Sequence, residues 1–258
     1  MRNHFLRAAG KSSYDADAQT YITAVETADG QALETATKDA INAFVVGCKA
    51  DDIWNAIKAS CILAGARTLA GALVPLVGTA PTNNNFVSGD YNRKTGLVGD
   101  GSTKYLNSNR SVTADPQDFC HISAFYGNSF GIAIGSAGGD NNATNSTVIS
   151  TNPISGRLRA SAYTSSSISV SANSFAGMSR SNSSNFVIRG GRQSLSYTSA
   201  SGVFPGSGNL CTHRFAGATF NFYSSARISF YSIGESLDLT LLDARVTALI
   251  NAFAAAIP

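Results

Sequence analysis

The sequence predicts a mainly β protein: a jelly-roll β-sandwich carrying a helical lead at its N-terminus and a closing helix at its C-terminus. Three observations predict it. Charged residues make up only 14% of the 258 residues, and the remaining polarity comes largely from Ser, Asn, Thr and Gly, which favour turns, edges and exposed strand faces over helix. Between Leu97 and Ile233 short apolar or alternating stretches are split by Gly/Ser/Asn turns, as in a sandwich. Helical spacing occurs only at the two ends. A chain of this length buries a full core without help from disulfides.

Residues 1–13 carry no periodic pattern and read as an arm. Ala18, Tyr21, Ile22 and Val25 then follow helical spacing, with Asp15 or Asp17 as N-cap and Asp29-Gly30 as the stop. A second stripe runs through Leu33, Thr37, Ala40, Ile41, Phe44 and Cys48. A third, short helix is expected from Asp51 or Asp52, presenting Ile53, Trp54 and Ile57. Residues 1–60 are therefore assigned to the arm and lead, and residues 61–258 to the sandwich with its closing helix.

After Cys61, Ile62-Leu63-Ala64 and Leu73–Val77 look like short strands, with Pro75 placing the second at an edge. Thr79–Gly96 reads as a loop. Phe119–Tyr126 and Ser129–Ile134 are expected to form a hairpin around Gly127-Asn128, and Gly135–Ser155 a long mobile loop. Arg157–Tyr163 alternates as a half-exposed strand, and Ser165–Ser171 puts Ile168 and Val170 on one face. Asn185–Arg189 and Ser194–Tyr197 flank Gly190-Gly191 as a hairpin. Ala218–Tyr223 and Arg227–Ile233 complete the set, with Phe220, Phe222, Ile228 and Phe230 as core candidates. Leu242, Val246, Leu249 and Phe253 form the last helical stripe, behind Asp238 as N-cap.

The net charge of +3 is unevenly spread. Between Gly101 and Gly234 the acids are Asp115, Asp118 and Asp140, against nine bases: Lys104 and Arg110, 157, 159, 180, 189, 192, 214 and 227. Such an excess attracts acidic surfaces, yet no dense basic cluster with interleaved aromatics indicates direct nucleic-acid binding. Cys48, Cys61, Cys120 and Cys211 are widely spaced among apolar neighbours and read as buried free thiols. Arg2 and Arg7 are not followed by a signal-peptide apolar region, and no run is read as a membrane span. The chain is expected to be made in a cytosol and to reach any outer surface by assembly.

Two segments together resemble a family of bacteriophage virion structural proteins, many of them from phages of marine cyanobacteria. One runs from Asp15-Ala16-Asp17-Ala18-Gln19 through Tyr21-Ile22-Thr23-Ala24 and Ala40-Ile41-Asn42-Ala43-Phe44 to Ile53-Trp54-Asn55-Ala56-Ile57-Lys58-Ala59. The other is Phe230-Tyr231-Ser232-Ile233-Gly234-Glu235-Ser236-Leu237 with the helix after it. Gly96-Leu97-Val98-Gly99-Asp100-Gly101-Ser102-Thr103-Lys104-Tyr105-Leu106 resembles the opening strand of laminin-G-like, concanavalin A-like domains. The resemblance covers both ends and leaves the middle third unmatched. It implies a sandwich on a virion, as head decoration or tail appendage, with capsid or tail proteins as partners and a homo-oligomer, often a trimer, as its state.

The β-region has no Glu before Glu235 and no paired carboxylates of the glycosidase kind. No G-x-S-x-G elbow accompanies His121 or His213; the first reads as a core or face histidine, the second as a turn or edge residue. Cys211 and His213 lack further zinc ligands. Asp140-Asn141-Asn142, Asp90 and Asp100 read as turn residues in preference to a calcium site. No catalytic residue, cofactor or metal is assigned. Two candidate surfaces remain. Tyr21, Phe44 and Trp54 mark the lead that would dock to other virion proteins. Arg157, Arg159, Tyr163, Arg189, Arg192 and Tyr197 mark a face for a partner or, in a tail adhesin, for a host-surface glycan.

Overall fold

A computed structural model describes residues 14–127, 131–136, 147–151, 153–160, 163–169, 171–203, 208–216 and 220–258. The arm expected over residues 1–13, and with it Asp140 and Val170, lies outside the described residues.

Two antiparallel sheets lie face to face. The inner sheet comprises β1 (Ile57–Ile62), β3 (Tyr91–Asn92), β4 (Gly96–Val98), β6 (Cys120–Tyr126), β11 (Ser174–Arg180), β12 (Asn185–Gly190), β13 (Gln193–Thr198) and β17 (Arg227–Gly234). Its order is β13-β12-β11-β6-β17-β4-β3, with β1 also beside β17. The outer sheet comprises β2 (Thr82–Asn84), β5 (Tyr105–Ser111), β7 (Gly131–Ser136), β8 (Thr147–Thr151), β9 (Ser155–Leu158), β10 (Thr164–Ser165) and β14 (Asn209–Thr212), in the order β10-β9-β8-β7-β14-β5-β2. A separate hairpin, β15 (Arg214–Ala216) and β16 (Asn221–Tyr223), packs beside β7. The expected mainly β sandwich with a closing helix is thus present.

Four helices complete the chain: α1 (Ala16–Asp29), α2 (Thr35–Ala50), a single turn α3 (Leu69–Ala72) and α4 (Leu239–Ala256). The Asp15 carboxylate accepts from the Asp17 N–H at the start of α1, and Gly30 ends it at φ 64°, a left-handed cap that glycine adopts without steric cost. The Asp238 carboxylate caps α4 through the Thr240 N–H. All four residues of the predicted α4 stripe are buried.

The helices form a third layer on the inner sheet. Because side chains alternate along a strand, Ile122, Ala124, Ala176 and Met178 face the outer sheet, while Phe125, Phe175 and Phe230 face Ile22, Phe44, Val246 and Phe253. Covered on both sides, β6 is buried along its whole length, and its sequence loses the polar alternation of a half-exposed strand.

Several expectations change. The third lead helix is one 3-10 turn, Trp54–Ala56, followed by β1. Asp52 at φ 57° breaks the helical path, and Ala59–Ile62 instead pairs with Phe230–Ile233. The division at residue 60 therefore falls inside a strand. Leu73–Val77 contributes one bridge, Val77 to Ser60. The Thr79–Gly96 loop contains β2 and β3. Cys120–Tyr126 and Gly131–Ser136 are not a hairpin, since they belong to different sheets. β6 already has β11 and β17 as neighbours, and the Gly127 N–H donates to the Arg227 carbonyl instead of turning back. Within the expected Gly135–Ser155 loop, Val148 and Ile149 are buried and β8 pairs with both β7 and β9. Strand β9 stops at Leu158 because Arg159 takes φ 51°. Phe222 is exposed and Phe220 only partly buried, so neither is in the core.

One expectation about membranes also changes. By length and composition α4 is apolar enough to cross one, with 18 residues at mean hydropathy 1.4. Its alanines raise that value, while its larger apolar side chains are committed to the core.

Candidate functional site

The structure distributes the predicted arginine and tyrosine face over four places. Arg157 and Tyr163 meet on the open face of the outer sheet. The guanidinium carbon lies 5.7 Å from the Tyr163 ring centroid, and the Tyr163 hydroxyl is 2.9 Å from both Ser150 Oγ and Ser155 Oγ. Arg157 projects outward because its neighbours Gly156 and Leu158 take the buried side of β9.

Arg159 does not join them. It is buried, donates from Nη1 to the Val112 carbonyl at 2.7 Å, and burial lowers its pKa. Arg189 is also buried, on the helix-facing side of β12. Its Nε donates to Asp243 Oδ2 of α4 at 2.8 Å and its Nη1 to Ser194 Oγ at 3.0 Å. Exposed Arg192 sits in the two-residue turn after Gly191, both at positive φ, the geometry that matches the twist of a tight hairpin. With Arg189 it borders a cleft of about 430 Å3 against Thr240, Thr247 and Asn251. Tyr197 lies on the opposite face of the same hairpin, paired across it with Phe186 at a ring separation of 6.2 Å. The odd spacing between Phe186 and Arg189 decides this, since odd steps along a strand reverse the face.

The docking residues of the lead are mostly consumed internally. Tyr21 and Phe44 are buried, and Phe44 meets Phe230 edge-on at 5.7 Å. They join the helices to the sheet and are not a free docking surface. Trp54 is half-buried, with Lys49 Nζ 5.8 Å from its ring. It lines a cleft of 470 Å3 with Tyr21, Pro75 and Leu76.

His121 is the core histidine expected. Its Nδ1 is 2.5 Å from the Glu235 carbonyl and its Nε2 2.7 Å from Ser232 Oγ, and burial pushes its pKa down to about 4. His213 occupies a turn, but a fully buried one: its ring lies 5.2 Å from Phe86, and burial brings it to about 4 as well. The four cysteines are free and buried. Burial raises Cys48, Cys61 and Cys120 to about 12 and Cys211 to about 11, far from the range of a reactive thiolate. The Asp90 carboxylate pairs with Lys104, and Asp100 accepts from the N–H groups of Ser102, Thr103 and Lys104, a turn role as expected.

Sequence reasoning missed one cluster. In the β15–β16 hairpin Arg214 lies directly opposite Tyr223. Its guanidinium carbon is 4.5 Å from the Tyr105 ring centroid and 5.8 Å from that of Tyr223. The Arg214 Nε donates to Asn221 Oδ1 at 2.8 Å, and Asn221 Nδ2 donates to the Tyr223 hydroxyl at 2.9 Å. The usable signal was the alternation Arg214-x-Ala216 and Asn221-x-Tyr223. Tyr105, over a hundred residues away, could not be linked to them without the fold.

No family model and no curated protein matches the chain. Among solved structures it is similar to a mutant Trypanosoma rangeli sialidase displaying trans-sialidase activity, at TM-score 0.47 and 9% identity over 84% of this chain and 39% of that one. It is also similar to the binding domain of botulinum neurotoxin serotype D, at TM-score 0.47 and 10% identity over 78% of this chain and 52% of that one. Against the NanB sialidase of Streptococcus pneumoniae the TM-score is 0.42 at 12% identity, and the match spans 53% of this chain but 26% of that one. These are likenesses of sandwich architecture.

Proposed function

We propose that this chain is a non-enzymatic structural protein of a bacteriophage virion, exposed on the particle as a head decoration or tail appendage and acting by protein–protein assembly. The observation that supports this reading is the meeting of the two segments that resemble phage virion proteins. β1 pairs along β17, Phe44 packs on Phe230, and Arg245 of α4 holds Asp51 through two hydrogen bonds of 2.6 and 2.9 Å. Segments far apart in sequence thus form one packed unit, as a shared fold requires. The non-enzymatic part is supported by His121, His213 and the four cysteines, whose burial and pKa directions suit packing better than proton transfer. Mass spectrometry of purified virions of the encoding phage tests the reading. A high copy number supports head decoration, and a small multiple of three or six supports a tail appendage. Absence from the particle overturns it.

A second reading, a tail adhesin recognising a host-surface glycan, is favoured by the open face of the outer sheet, where Arg157 and Tyr163 lie together with serine hydroxyls. Cation–aromatic pairs rimmed by hydroxyls suit sugar recognition.

A further inference from the structure

We infer that the Arg214 hairpin is a binding site for a carboxylate-bearing saccharide, with Arg214 as the carboxylate receptor and Tyr105 and Tyr223 as the surface on which the sugar ring rests. The inference deepens the adhesin reading and places its ligand at a site other than Arg157–Tyr163.

The geometry of the guanidinium carries it. Of five N–H donors, the one on Nε is occupied by Asn221. The four on the Nη groups have no hydrogen-bond or carboxylate partner among the described residues. Five other bases between Gly101 and Gly234 are engaged: Lys104, Arg110 and Arg189 pair with Asp90, Asp115 and Asp243, and Arg159 and Arg180 donate to backbone carbonyls. Arg214 is therefore a cation held in position with no counter-charge among the described residues. Stacking on Tyr105 fixes its plane, and the Asn221–Tyr223 relay fixes its rotation about that plane. A planar fork so fixed is organised in advance for a bidentate carboxylate, at little conformational cost on binding.

The neighbours add a preference for sugar. The Tyr105 and Tyr223 rings lie 6.1 Å apart at 53°, offering aromatic faces to pyranose C–H groups. Exposed Asn221 keeps one Nδ2 hydrogen beyond the one given to Tyr223, free for a ring hydroxyl. Strand alternation places Phe215 and Phe222 on the other side of the hairpin. A Cβ at Gly135 would come within 2.9 Å of Phe215 Cβ, so the hairpin rests closely on β7 and gives the site a rigid base.

Oligogalacturonides provide the probe, and their methyl esters provide the same rings without the charge. Calorimetry on the intact chain at low salt should show saturable binding of the acid form and at least a tenfold weaker response to the ester. Arg214→Ala should weaken binding roughly tenfold to a hundredfold, the scale of a charged hydrogen-bonded pair. Arg214→Lys should restore only part of it, and Arg157→Ala should leave it unchanged. Thermal melting of each variant separates lost binding from lost folding. Three results would each overturn the inference: no saturable binding by the unaltered chain, equal binding of acid and ester, or equal binding of poly-glutamate, which would mark a general acid-binding patch. Loss with Arg157→Ala but not Arg214→Ala would return the glycan to the outer-sheet face, leaving the adhesin reading intact.

Discussion

The inner and outer sheets obey the same alternation but end with different duties. Several polar side chains on the helix-facing side of the inner sheet are tied to structure: His121 to Ser232 and Glu235, Ser179 to the Leu237 carbonyl, Arg189 to Asp243. On the open face of the outer sheet, Tyr163 is 48% exposed, and beside that sheet Arg214 has no counter-charge among the described residues. Arginine therefore has two meanings in one chain. Under the helical layer Arg189 is a strut, whereas Arg214, beside the outer sheet, is the recognition group proposed above.

The comparison can be broken first at the junction of layers. Phe230→Ala removes a fully buried ring between helices and sheet and should cost about 3–5 kcal/mol. Urea unfolding followed by both helical and near-ultraviolet signals should stay a single transition at a lower midpoint; two separated transitions would show that the helices are a domain of their own. Asp243→Ala strands the buried Arg189 and should cost about 3 kcal/mol, measured the same way, whereas an equal loss from Arg157→Ala would erase the contrast between the sheets.

A pH series sharpens the contrast next. His121 and His213 have folded pKa values near 4, below the ordinary 6.5, so the unfolded chain binds more protons as the pH falls. Their contribution is present above pH 6.5 and is lost as pH drops toward 4, by up to about 1.4 kcal/mol per pH unit for each histidine. Urea midpoints should decline across that window, and His121→Gln should flatten the decline. The smallest effect is expected from Tyr163→Phe on the open face, within about 0.5 kcal/mol; a larger loss would mean that this face is structural too.

The ends of the molecule were legible because their signals are local. Asp15, Gly30 and Asp238 cap the helices as their residue types predict, and the α4 stripe needs only its own spacing. The β12–β13 hairpin was legible for the same reason, although its turn is Gly191-Arg192 and not the expected Gly190-Gly191. Pairings decided by competition were not. β6 and β7 look like hairpin partners until β11 and β17 claim both edges of β6. Likewise Ile53–Ile57 carries helical spacing, but β17 offers an unpaired edge that Ile57–Ile62 fills. The candidate face failed by one odd step, which sends Arg189 and Tyr197 to opposite sides of their hairpin. A deletion of residues 1–60 would accordingly cut β1 and remove the α1 and α2 part of the cover from Phe125, Phe175 and Phe230, so it cannot serve as a test of docking alone.

A reconstruction of the virion in which this chain can be oriented tests the division of duties most directly. The account predicts that the helical side lies toward the particle, while the open face of the outer sheet and the Arg214 hairpin point to solvent. Outward helices above an outer sheet pressed against its neighbours would contradict it.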